Sequence, residues 1–165
     1  MEDPERHPLD GFVSPSRGKV GDGGVFAEIT SFVTEAPGLT HNVIIGTDSF
    51  LADETVFVAA IIIHRVGHGG RYFYKKHRRR KMTSMRQRIF YEATMSIELA
   101  GAVRAGLDRS GLSALPVEIH LDVGDKGETK EIIKQVVGMV MGSGYAAVTK
   151  PASYGASKVA DRHSR

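Results

Sequence analysis

The sequence predicts a mixed α/β domain: a five-stranded sheet of three antiparallel strands followed by parallel ones, with helices on both faces. Three observations lead there. The β-branched run Val56-Phe-Val-Ala-Ala-Ile-Ile-Ile63 has the length of a strand and lies between two other strand-like runs joined by short polar connections. Beyond residue 83 helix-like and strand-like stretches alternate, so each later strand is reached through a helix and joins in parallel. A length of 165 residues, with 41% hydrophobic and 25% charged, belongs to one ordinary folded domain, not to two cores or a disordered chain.

Residues 1–24 hold Pro4, Pro8, Pro15 and the breaker Asp22-Gly-Gly24, and read as an extended arm, which leaves 25–165 as the single domain. Val25, Phe26, Ile29, Phe32 and Val33 recur at helical spacing and Pro37-Gly38 stops them, giving a short amphipathic helix over 25–35. Residues 43–48, 56–63 and 71–74 form the meander, the last strand entered through Gly67-His-Gly-Gly70. The longest helix covers 83–107, with Thr83 or Ser84 to cap it and Gly106 weakening its end. Val117-Glu-Ile-His-Leu-Asp122 alternates as the fourth strand, and a helix over 128–141 is broken by Gly142-Ser-Gly144. Residues 145–149 make the last strand, and 153–163 a last helix behind Pro151.

Several classes are excluded at this level. Without cysteine there is no disulfide framework, thiolate metal site or cysteine nucleophile, so any metal must be held by carboxylates or His. The longest apolar stretch, 56–63, falls far short of the roughly 20 residues of a membrane helix. The N-terminus is polar and acidic and lacks a secretory pattern, so a cytoplasmic protein is expected. The net charge of +3 favours an anionic partner only mildly, yet Lys75, Lys76, His77, Arg78, Arg79, Arg80 and Lys81 are contiguous. Taken alone, such a run is more often a solvated loop.

Ligands of α/β sheets gather beyond the carboxyl ends of parallel strands, and two acids, Asp48 and Asp122, close strands that otherwise read as interior. One Asp of this kind would simply start a turn. A third acid, Glu92, shares a stripe of the long helix with Met85, Ile89, Ser96, Leu99 and Val103 at spacings of three and four, so it faces the sheet. Glu98, about 240° further round, reads as a solvated residue and is the competing choice. Asp161 falls on one face of the final helix with Tyr154, Ser157 and Lys158. Clustered carboxylates repel unless a divalent cation neutralises them, and an oxygen-only set suits Mg²⁺ or Mn²⁺. Such a site suits two-metal hydrolysis of a phosphodiester.

The element order and the placement of these acids resemble the ribonuclease H-like nuclease superfamily. More closely, Ile45-Gly-Thr-Asp-Ser49, His120-Leu-Asp-Val-Gly124, Gly127-Glu-Thr-Lys130, Lys150-Pro-Ala-Ser-Tyr154 and Ser157-Lys-Val-Ala-Asp161 resemble the YkuK-like family of ribonuclease H-like proteins, over the chain from about Phe12 onward. The resemblance implies that Asp48, Glu92, Asp122 and Asp161 are catalytic metal ligands. His120, two residues before Asp122 on the same strand face, is either second to the ligands or a half-buried strand histidine. Lys150, Ser153 and Tyr154 either bind phosphate at the start of the last helix or form a turn and cap.

A meander makes its third strand parallel to its first, so the basic run leaves the sheet on the edge that carries Asp48. There Lys75, Lys76, Arg78, Arg79, Arg80 and Lys81, with Lys150, would hold a nucleic-acid backbone without reading its sequence. The leading expectation is a Mg²⁺- or Mn²⁺-dependent nuclease acting on RNA, DNA or a hybrid. The alternative is a non-catalytic nucleic-acid-binding module on the same fold. A scaffold domain would leave four acids and a basic run on one edge unexplained.

Overall fold

The computed structural model describes residues 7–16, 18–20, 22–123 and 130–149. In chain order these form β1 (Phe12–Ser14), β2 (Gly18–Val20), α1 (Asp22–Thr34), β3 (His41–Leu51), β4 (Thr55–Arg65), β5 (Gly70–Arg79), α2 (Met85–Arg109), β6 (Val117–His120), α3 (Lys130–Gly142) and β7 (Ala146–Val148). The most apolar sequence lies at the centre. β3 and β4 pair antiparallel along their whole length, and the first nine residues of β4 are all buried, so both of its faces are covered.

The sheet runs β2-β1-β5-β4-β3-β6-β7 and has seven strands, not five. The antiparallel meander is β3-β4-β5, and β6 and β7 each join in parallel, as connections through α2 and α3 require. The two additional strands lie within 1–24, the stretch read as an arm. They are three residues each, too short to show a period. What holds them is burial around them, with Leu9 and Phe12 almost wholly enclosed and Val13 opposite Tyr74 of β5.

Two boundaries move in ways that matter for the site. β3 does not end at Asp48 but continues to Leu51, because its hairpin partner β4 supplies a ladder out to Thr55. β5 does not end at Tyr74 either. It continues through Lys75, Lys76, His77, Arg78 and Arg79, with Arg79 opposite Thr55, so only Arg80 and Lys81 of the basic run leave the sheet. A charge run reads as a loop when the pairing that backbone N–H and C=O groups will find is not visible.

Residues opposite one another share a face of the sheet. Val43, Ile45, Ile61, Ile63, Phe73 and Ile119 meet Val25 and Ile29 of α1, Leu99 and Val103 of α2, and Val136 and Val140 of α3 in the main core. All three described helices therefore serve one face. The other carries Val58 and Ala60 with Phe50, Tyr72 and Tyr74. Helices on both faces were expected with a last helix over 153–163, which lies outside the described residues.

α2 is the element that carries Glu92 to the sheet. Ser84 caps it by accepting from Gln87 N at 3.2 Å. Gly106 does not end it. A Cβ there would lie 1.8 Å from Phe26 Cζ, so this glycine exists to let α1 cross closely. The helix ends instead at Gly111 with φ 76, where Leu112 N donates to Leu107 O at 2.8 Å in a Schellman closure.

Candidate active site

Two strand residues fix the height of α2 against the sheet. Thr47 and Ser49, two apart on β3, face α2, and Ser96 and Glu92, four apart on α2, face them. The Ser96 hydroxyl donates to Thr47 Oγ1 at 2.9 Å, and the Ser49 hydroxyl donates to Glu92 Oε1 at 2.5 Å. Two strand residues advance about 6.6 Å and four helical residues about 6 Å, so both bonds form without strain. The pair of bonds sets Glu92 at the level of Asp48, the residue before Ser49, whose side chain leaves the other face of β3 but lies within electrostatic reach.

The parallel register brings the second aspartate to the same level. Val43 lies opposite Val117 and Gly46 opposite His120. Continued two residues past the end of β6, this register puts Asp122 beside Asp48 on the neighbouring strand line, about 4.8 Å away between strands. Asp48 accepts from Ser49 N at 2.9 Å.

Glu92 as a whole residue is half-buried, but its carboxylate is set well below the surface. Burial pushes its pKa up to about 8. The Ser49 hydroxyl and the Arg88 charge pull it down, while the negative charges of Asp48 and Asp122 push it further up. Three carboxylates are therefore in electrostatic reach of one another, and the buried one is mostly protonated at neutral pH. Glu98 is exposed on the far side of α2, so Glu92 is the helix acid that meets the strands. Among the described residues no group of three or more His, Asp or Glu closes to metal-holding geometry. The fourth expected ligand, Asp161, lies outside the described residues, as do Lys150, Ser153 and Tyr154.

His120 is buried at 4% exposure, and its Nε2 lies 2.7 Å from Glu118 Oε1, which also accepts from Asn42 Nδ2 at 3.1 Å. Its partner is thus a strand glutamate on the same face, as befits a buried strand histidine.

Alternation along β5 divides the basic run. Lys75, His77 and Arg79 lie on the helix side, where Arg79 Nε donates to the Tyr91 hydroxyl at 2.9 Å and ties β5 to α2. Lys76 and Arg78 are exposed on the other side, and Lys76 stands in line with Asp48 through Val58, two strand spacings or about 10 Å away. The basic run does lie at the level of the acids, but Arg79 serves the fold. Sequence reasoning missed Ser49, Thr47 and Ser96 as the residues that position Glu92, although Thr47 and Ser49 flank Asp48 in the motif itself. It also passed over Arg88, one turn before Glu92 on α2.

The mixed sheet, with its antiparallel meander and parallel crossovers, defines an α/β fold, and the family model described as "Ribonuclease H-like" matches residues 24–165. The chain belongs to the ribonuclease H-like family. Within it, the chain is similar to the "Uncharacterized protein YkuK" of Bacillus subtilis (strain 168), at 34% identity over 153 residues that cover 86% of this chain and 89% of the relative. No solved structure matches the chain significantly. Among the described residues no helix is long and apolar enough to cross a membrane.

Proposed function

We propose that the protein is a metal-dependent nuclease that hydrolyses phosphodiester bonds of RNA, DNA or an RNA/DNA hybrid, with Asp48, Glu92, Asp122 and Asp161 holding Mg²⁺ or Mn²⁺. The observation that carries this reading is the state of Glu92. A carboxylate sunk against the sheet, its pKa raised to about 8 chiefly by burial and further by two other carboxylates, is a poor arrangement for stability alone. It becomes favourable when a divalent cation neutralises the set, and the donors are all oxygen, which fits Mg²⁺ or Mn²⁺. When bound, such ions supply Lewis-acid activation of the phosphodiester.

The chain's own residues do the rest. The Ser49 hydroxyl fixes one oxygen of Glu92 and holds the carboxylate against β3 at the level of Asp48. The Ser96–Thr47 bond holds the helix so that this geometry persists. Lys76 and Arg78, exposed on the face of the sheet that Asp48 occupies, contact the phosphate backbone, joined by Arg80 and Lys81 past the end of β5. Such contacts are independent of sequence, so nonspecific binding with a strong salt dependence is expected.

The test is a panel of end-labelled single-stranded, duplex, hybrid and branched substrates incubated with EDTA, Mg²⁺ or Mn²⁺. Cleavage that requires the metal and disappears in Asp122→Asn supports the reading. Binding across the panel without cleavage of any member would replace it with a non-catalytic nucleic-acid-binding module.

A further inference from the structure

α2 carries a cation whose situation differs from that of the other half-buried arginines. Arg65 is bonded to Phe32 O and His41, Arg79 to Tyr91, and Arg104 to Leu115 O and Asp108. Arg88 is half-buried and its Nε is fully enclosed, yet that Nε has no hydrogen-bond partner. Among the described residues its guanidinium makes no hydrogen bond or ion pair at all. It is not remote from acids. One helical turn before Glu92, it acts on that carboxylate through its charge without closing an ion pair.

An enclosed donor left unmade costs about 1–3 kcal/mol, more for a charged group. A guanidinium that stays charged, unpaired and partly shielded from water beside the acids is preorganised for an incoming anion. With its Nε enclosed, the edge that an anion can reach is the one formed by the two Nη groups, whose parallel N–H bonds fit two oxygens of one phosphate. Exposed Lys76 and Arg78 meet a backbone as mobile, solvated charges, whereas Arg88 sits within the site.

We infer that Arg88 is the phosphate-binding residue of the acid site, gripping the non-bridging oxygens of the phosphate that lies against Asp48, Glu92 and Asp122. The identity of the ligand as a phosphodiester rests on the nuclease reading. The presence of an oxyanion site at Arg88 does not. A lysine would supply the charge without the fork, so the conservative variant restores little.

Inorganic phosphate titrated into the full chain in the presence of Mg²⁺ tests this. The readout is the arginine Nε–Hε signals in NMR spectra of wild type, with Arg88→Lys assigning the Arg88 signal by its disappearance. The expected result is a saturable shift of that signal, phosphate binding at least tenfold weaker in Arg88→Met, and a melting temperature in Arg88→Met equal to or above wild type, because an unpaired enclosed donor is gone. An Arg88 signal that ignores phosphate overturns the inference, and this measurement needs no folded Arg88→Met. So does equal phosphate affinity in wild type and variants. Equal rates of substrate cleavage in wild type and Arg88→Lys would overturn it while leaving the nuclease reading standing. Arg88-dependent phosphate binding without cleavage of any substrate would support it while that reading falls.

Discussion

Replacing Glu92 by Gln removes the charge that the fold holds at a cost, and the effect is set by pH. In the unfolded chain this carboxyl titrates near 4.5, and in the folded chain near 8. Between those values the native state binds more protons than the unfolded one, so stability falls as pH rises. At 1.36 kcal/mol per pKa unit the loss amounts to roughly 3 kcal/mol at pH 7 and roughly 5 kcal/mol above pH 9, both upper bounds. Gln keeps the size and can still accept from Ser49, so Glu92→Gln should match wild type near pH 4.5 and exceed it increasingly toward pH 9. The assay is chemical denaturation of both proteins at pH 5, 7 and 9 in EDTA. Parallel pH dependence of the two would refute the claim that the Glu92 carboxylate is enclosed among other acids, and the argument for a cation site would lose its main support. Addition of Mg²⁺ or Mn²⁺ should reverse the order at high pH, because the cation favours the ionised form that Gln cannot provide.

Wild-type melting temperature should rise with millimolar Mn²⁺, following RT ln(1 + [L]/Kd), and the rise should vanish in Asp48→Asn/Asp122→Asn; an equal rise in the double variant would place the ion elsewhere. Lys76→Ala/Arg78→Ala should weaken nucleic-acid binding for all sequences alike and reduce the salt slope by about 0.7 to 0.9 per lost phosphate contact. Arg79→Ala should instead lower stability by about 1 kcal/mol through loss of the Tyr91 hydrogen bond, as read by denaturation. Gly106→Ala should destabilise by about 1–3 kcal/mol or more, because its methyl group would enter the Phe26 ring; unchanged stability would mean that α1 moves aside freely.

The parts of the fold that were legible in the sequence are those in which burial and periodicity coincide. Ile61, Ile62 and Ile63 announce a central strand, and Ile89, Leu99 and Val103 announce the buried stripe of α2. Asp48 and Asp122 could be placed at one level because parallel pairing follows from the order of elements. What escaped depends on partners distant in the chain. Lys75 to Arg79 belong to a strand only because β4 is long enough to pair with them, and alternation then assigns Arg79 to Tyr91 and Lys76 to solvent. β1 and β2 depend on β5 in the same way. Ser49 and Thr47 were visible as residues, but their role arises from the match between two strand steps and one helical turn, which no single element reveals. The unpaired Nε of Arg88 is a property of its surroundings and has no signature in local sequence.

In the proposed function, the acids at the β3–α2–β6 junction act together on a nucleic-acid phosphodiester with a divalent ion. The most direct measurement is single-turnover cleavage of the labelled substrate panel by wild type and by Asp122→Asn, in Mn²⁺ and in EDTA, with binding measured on the same samples. The expected result is cleavage by wild type in Mn²⁺ only, and a loss of orders of magnitude in Asp122→Asn at binding that is equal or tighter, since one negative charge near the phosphate is gone. Cleavage that persists in EDTA, or that Asp122→Asn leaves unchanged, would contradict it.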